Sequence, residues 1–213
     1  MTDPAPTTTP QPDTRYPEPV DSAAEASRWL RLQSRAHREF AARVAVVSDW
    51  EAPTPDTDWV VRDLVSHVIE EQQWVPWLLS GLSTGHAKSR LHPIEPDLRQ
   101  EWHRYSLAAT TAWHDAEPTA PVNLASDTVT AVEYLKELVA DVTIHTWDLA
   151  RAVGAEEVLD HDLVAAVWTV FEPQRDALEA SGLFASPIPV PDDAPLQSRL
   201  LALTGRDDRR PSA

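Results

Sequence analysis

Asp141 and His145 lie four residues apart in one apolar-periodic stretch of the chain, and His67 and Glu71 repeat that spacing in another. On a helix an i, i+4 pair brings both side chains over one spot. Tyr134, Leu138, Asp141, His145, Asp148 and Ala152 share one stripe of a 3.6-residue wheel, with Leu135, Val142 and Leu149 beside it. Leu64, His67, Glu71, Trp74 and Leu78 form a second such stripe. Each polar pair therefore interrupts a face that should turn inward, and helical bundles build metal sites where such pairs meet. His67, Asp141 and His145 would supply two imidazoles and a carboxylate with a coordination position left open. That donor set suits Zn²⁺, and also Fe²⁺ or Ni²⁺. Spacing alone leaves a second and commoner arrangement in place, an internal hydrogen-bonded network in which Asp141 pairs with His145 and no ion is held.

Around these residues, Trp74 and Trp147 are placed to wall a pocket, each close in sequence to a candidate ligand. Arg151, six residues after His145, could bind a substrate carboxylate, although pairing with Asp148 or another acid is the more ordinary use of such a residue. The remaining histidines have weaker settings. His37 falls on the apolar side of its helix, three residues before Phe40, as a core histidine would. His161 suits a surface or cap position.

The elements that must position these groups can be read from apolar periodicity and its breaks. Helices are predicted at about Ala23–Ser48, Val61–Ser80 (stopped by Gly81, with Pro76 inside), Pro96–Asp115, Thr128–Val153 (stopped by Gly154) and His161–Ala180 (stopped by Gly182, with Pro173 inside). An extended proline-rich arm then leads to a short helix at Leu196–Leu203. Strand-like alternation is scarce, so an all-α bundle is expected. The first twenty residues hold six prolines and no apolar periodicity, and are expected to be disordered.

Composition narrows the chemistry. With no cysteine the chain has no disulfide, no thiolate nucleophile and no Cys-based zinc site, so any thiol chemistry needs a thiol from outside. A net charge of −16 argues against nucleic acid and anionic membranes as partners. No apolar run nears the ~18 residues of a spanning helix, and the N-terminus lacks the basic and apolar blocks of a signal peptide. A cytoplasmic location is the expectation.

Three segments, WVVRDLVSHVIEEQQWVPWLLSG (Trp59–Gly81), DVTIHTWDLARAVG (Asp141–Gly154) and PIPVPDDAPLQSRLLALTGRD (Pro187–Asp207), resemble an actinobacterial family of metal-binding proteins. That family is related to the mycothiol-dependent maleylpyruvate isomerases and to DinB-like four-helix bundles. The resemblance implies a DinB-like four-helix bundle with an additional helix and an extended proline-rich C-terminal arm, spanning residues 21–207 between a 1–20 leader and a 208–213 tail. It implies that His67, Asp141 and His145 hold a divalent metal, usually zinc, with Glu71 as a fourth ligand, a partner of a ligand histidine, or a base. It further implies mycothiol as cosubstrate, used for S-transfer to, or isomerisation of, an electrophilic small molecule. The alternatives are a metal-assisted hydrolase and a non-catalytic metal- or small-molecule-binding bundle. Oligomeric state is left open. The sequence departs from the isomerases at Asp141, where they carry the longer Glu, and at Val60, where related chains often have a Thr that would cap the helix.

Overall fold

The computed structural model describes residues 22–209 except 57, 126 and 183. The expected leader and the last four residues of the expected tail lie outside the described residues. Four long helices make the bundle: α1 (Ser22–Ala45), α2 (Val61–Leu79), α4 (Leu98–Asp115) and α5 (Ala131–Val153), with a one-turn α3 (Thr84–Ala87) between the second and third of them. Around the bundle the close neighbours run α1, α5, α2, α4 and back to α1, so the sequence-consecutive α1 and α2 sit across a diagonal. The expected all-α, DinB-like bundle is the architecture observed. Among the described residues no helix is long and apolar enough to cross a membrane.

The long helix expected from Thr128 instead starts at Ala131. Thr128–Thr130 forms β2, antiparallel to β1 (Pro121–Asn123), and these strands are too short to display alternation. Thr130 then caps α5 reciprocally. Its hydroxyl accepts from the Glu133 N–H at 3.3 Å, and the Glu133 carboxylate accepts from the Thr130 N–H at 2.7 Å. Pro173 breaks the expected fifth helix into α6 (His161–Phe171), a 3₁₀ turn and α7 (Arg175–Ser181), because proline lacks the N–H that would continue the ladder. The arm and the short α8 (Leu196–Leu203) follow as expected.

α5 is buried nearly all round. One side contributes Leu135, Leu138, Val139 and Val142 to the bundle core, and the other packs Ala140, Ile144 and Trp147 against α6 and α8 in a second core with Val164, Val167, Leu200 and Leu201. Thr143, His145, Thr146 and Asp148 on this helix are therefore held away from bulk water, where each needs a partner.

His37 is half-buried, as its place on the apolar side of α1 predicts. It packs edge-on to Trp102 at 5.0 Å, with the Gln33 amide 3.1 Å from its Nδ1. Burial lowers its pKa from 6.5 to about 4. A histidine kept neutral in the fold but free to charge when unfolded contributes stability above pH 6.5 that is lost as pH falls toward about 4. Replacing His37 with Phe is expected to flatten this slope, sparing the variant about 2 kcal/mol of the acid loss shown by the parent, after discounting for the solvent-facing edge of the ring. Urea unfolding at pH 7 and pH 4.5 checks the difference.

Candidate metal centre

Three elements meet at the α2–α5 edge of the bundle. The segment before α2 wraps across its N-terminus, so that the Val61 and Arg62 N–H groups donate to the carbonyls of Ala52 and Trp50, both at 2.9 Å. These contacts satisfy two first-turn donors and explain why a capping Thr at residue 60 is dispensable. The Asp63 carboxylate accepts from the Val60 N–H at 3.2 Å, the one half of a capping box that a valine permits. The same wrap lays the Trp59 ring against His67 at 4.9 Å and near His145 at 5.8 Å.

His67 on α2 faces Asp141 and His145 on α5. Asp141 Oδ1 lies 3.4 Å from His145 Nε2 and 3.7 Å from His67 Nε2, and the two imidazole rings are edge to face at 5.2 Å. One ligand atom from each of the three residues falls within 4.8 Å of the others. The second carboxylate oxygen, Asp141 Oδ2, is buried without a hydrogen-bond partner among the described residues. The centre is not sealed: the His67 and Asp141 side chains keep 31% and 21% of their exposure, against 4% for His145.

Behind His145 the wall is polar and fully paired. His145 Nδ1 donates to Asp148 Oδ2 at 3.1 Å, and Arg206 grips that carboxylate with Nε to Oδ1 at 3.2 Å and Nη2 to Oδ2 at 2.9 Å. Arg206 Nη2 also reaches Asp56 Oδ2 at 2.7 Å.

The charges are interdependent. Burial opposes ionisation of Asp141, but His145 and His67 outweigh it and hold the carboxyl well below its usual range. For His145, burial opposes the charged ring, yet Asp141 and Asp148 push its pKa up to about 10. His67 is raised through Asp141 despite its own burial. Glu71 is driven up to about 7, first by burial and then by the charge of Asp141. The metal-free site therefore stores protons on histidines that face an anion, and a divalent cation could replace them. Two nitrogens and a carboxylate converge, one carboxylate oxygen lacks a partner, and His145 is backed through Nδ1 by a carboxylate, the usual support for a metal-binding imidazole. These residues fit a divalent ion.

The sequence matches the family described as mycothiol maleylpyruvate isomerase N-terminal domain over residues 30–150. The chain belongs to this family. It is also 31% identical to "Uncharacterized protein Rv0738" and to "Uncharacterized protein MT0763", from the H37Rv and CDC 1551 strains of Mycobacterium tuberculosis, over 84% of this chain and 98% of theirs. No solved structure matches it.

Within the mycothiol maleylpyruvate isomerase N-terminal domain family, the matched span carries His67, Glu71, Asp141, His145 and Asp148, whereas Arg206 lies beyond it. The other expected site residues are less closely gathered. Trp74 is half-buried on the α2 stripe. Trp147 is not a wall of this site: two residues past His145 is more than half a helical turn, so its ring sits in the second core. Arg151 does not pair with Asp148. It packs over the Trp147 ring, holds Glu157 through Nε at 3.0 Å, and donates to the carbonyls of Asp207 and Asp208. The sequence gives no sign of a site role for Trp59, Asp56 or Arg206, although Arg206 lies in the third resembling segment.

Proposed function

We propose that the protein is a divalent-metal-dependent enzyme that uses an external low-molecular-weight thiol, mycothiol, for S-transfer to, or isomerisation of, an electrophilic small molecule. The observation that carries this reading is the convergence of His67 and His145 on Asp141 Oδ1, with Asp141 Oδ2 unpartnered among the described residues, in a chain without cysteine. Zn²⁺ is the ion the donor set suits best, with Fe²⁺ or Ni²⁺ as alternatives. A bound divalent cation would supply thiol acidification, making a sulfur nucleophile available at neutral pH.

The protein's own groups then have distinct tasks. His67, Asp141 and His145 hold the ion. Glu71, one helical turn after His67 on α2, would take the thiol proton and return it to the adduct. Trp59 walls the site and limits water beside both imidazoles. Half-exposed His67 marks the side from which thiol and electrophile would enter.

Protein purified without a metal-affinity tag is expected to carry close to one divalent ion per chain, and His67→Ala and His145→Ala to carry almost none. Equal content in all three would sink the assignment. Addition of thiol to cobalt-loaded protein is expected to produce a thiolate-to-metal charge-transfer band. The alternative, a non-catalytic metal- or small-molecule-binding bundle, draws on the shorter reach of Asp141 and predicts bound cobalt with no spectral response to thiol and no conjugate formed.

A further inference from the structure

The matched family span ends at residue 150, yet the support of the site does not. His145 donates through Nδ1 to Asp148, a residue with no solvent exposure whose carboxylate is an acceptor on both oxygens. The donor at Nδ1 turns Nε2 toward Asp141 and His67, so that its lone pair faces them once its proton is displaced. The plane of the Asp148 carboxylate is in turn set by the two-pronged grip of Arg206. A carboxylate held at two points cannot rotate, so neither can the ring that donates to it.

Arg206 is itself over-determined. Its Nη1 donates to the Thr204 carbonyl at 2.7 Å, its Nη2 to Asp56, and its guanidinium lies over the Phe184 ring at 5.6 Å. The backbone that delivers it folds back on α8, with the Arg206 N–H donating to the Leu201 carbonyl at 2.8 Å. Arg206 is only 4% exposed and lies 58 residues from Asp148 and 150 from Asp56. Surface charge pairing needs none of this burial, and one partner would suffice to neutralise the arginine.

We propose that Asp148 and Arg206 are positioning residues for the metal centre, and that docking of the segment after α8 is coupled to metal affinity through them. The inference rests on the metal-site reading above. Coupling is reciprocal: if Arg206 tightens metal binding, bound metal must tighten the docking of Arg206 by the same factor.

The test titrates Zn²⁺ and Co²⁺ against a competing chelator in the full chain and in Asp148→Asn, Arg206→Met, Asp56→Asn and the Asp148→Asn/Arg206→Met double variant, each first checked for folding by circular dichroism. Asp148→Asn is expected to bind about 10–100-fold more weakly, the range for loss of an imidazole's outer partner. Arg206→Met is expected to lose about 10-fold, with the cobalt ligand-field bands shifted, which a merely stabilising residue would not cause. The double variant should match Asp148→Asn within about twofold, because both act through one contact. The half-exposed Asp56 gives a variant that keeps the Arg206–Asp148 grip and is expected to fold, with a smaller loss. In the unaltered protein, Zn²⁺ should slow amide hydrogen exchange at residues 204–207. Folded variants with parental affinity and unchanged cobalt bands, or exchange at 204–207 indifferent to Zn²⁺, would overturn the coupling and leave the metal site standing. A parent chain that binds neither ion would overturn both.

Discussion

Asp141→Asn is expected to abolish the proposed ion binding and, separately, to remove a large share of the metal-free stability. Asparagine keeps the shape of the side chain but removes the one anionic donor of the three. Loss of an outer partner of a ligand lowers affinity by about 10–100-fold, so loss of the anionic ligand should exceed about 100-fold. In the metal-free protein, Asp141 is the counter-charge for His145 and His67. Removing one partner of a buried pair typically costs about 3–5 kcal/mol, and the residual exposure of Asp141 places this case near the lower end. The pH dependence separates the two effects. His145 has its folded pKa raised to about 10, so its pairing stabilises fully below the ordinary value of 6.5 and fades as pH rises through about 10. Asp141 has its pKa depressed, so its share is present above its ordinary value of 3.8 and fades as pH falls below it. Between those limits, near pH 5–6, the metal-free variant should fall furthest behind its parent, and the gap should close toward pH 10. Chelator-treated samples unfolded in urea across this range check it, and a gap independent of pH would refute the pairing. Asp141→Glu, which keeps the anionic donor on a side chain one methylene longer, is expected to retain ion binding.

Gly205→Ala is the second large effect. Gly205 has φ +79, and a β-carbon there would sit 2.6 Å from the Ala185 β-carbon and 2.9 Å from the Ala185 carbonyl. The left-handed backbone costs an L-residue roughly 1–2 kcal/mol. Overpacking against a backbone that cannot swing aside adds roughly 1–3 kcal/mol. A loss of about 3 kcal/mol is therefore expected, seen as a lower urea midpoint with unchanged slope. Gly154 is the control. It too is left-handed, at φ +65, but nothing lies within 4 Å of its missing β-carbon, so Gly154→Ala should lose only about 1 kcal/mol. Equal losses at the two positions would show that the close approach to Ala185 carries no weight.

The legible parts of this chain are those governed by local rules. Apolar spacing and glycine stops placed α2 and the end of α5 to within a residue or two, because apolar positions recur at helical spacing in both and each helix is followed by a left-handed glycine. The hairpin was hidden because three-residue strands carry no period, and Thr130 and Glu133, whose capping box marks the true helix start, lie inside the span first read as helix. At the site, the helical wheel brought Asp141 and His145 together, but only the packing of α2 on α5 brings His67 to them. Asp148 was visible on the same stripe, but the partner suggested for it was the nearby Arg151, which instead holds Glu157. Its partner, Arg206, is separated by an arm and a helix, and no periodicity relates residues so far apart. Trp147 shows the opposite error: nearness in sequence suggested the pocket, whereas the helical rotation sends it to the other core.

The distance along the chain between Asp148 and Arg206 also sets an order of events during synthesis. A ribosome adding ~5–20 residues per second delivers residue 206 about 3–12 s after residue 148. In that interval the nascent chain already contains both histidines and Asp141, but the guanidinium that fixes Asp148 is still to come. If the proposed coupling holds, a nascent chain binds the ion about 10-fold more weakly until its C-terminal segment has arrived and docked, so full affinity comes late in the life of the polypeptide.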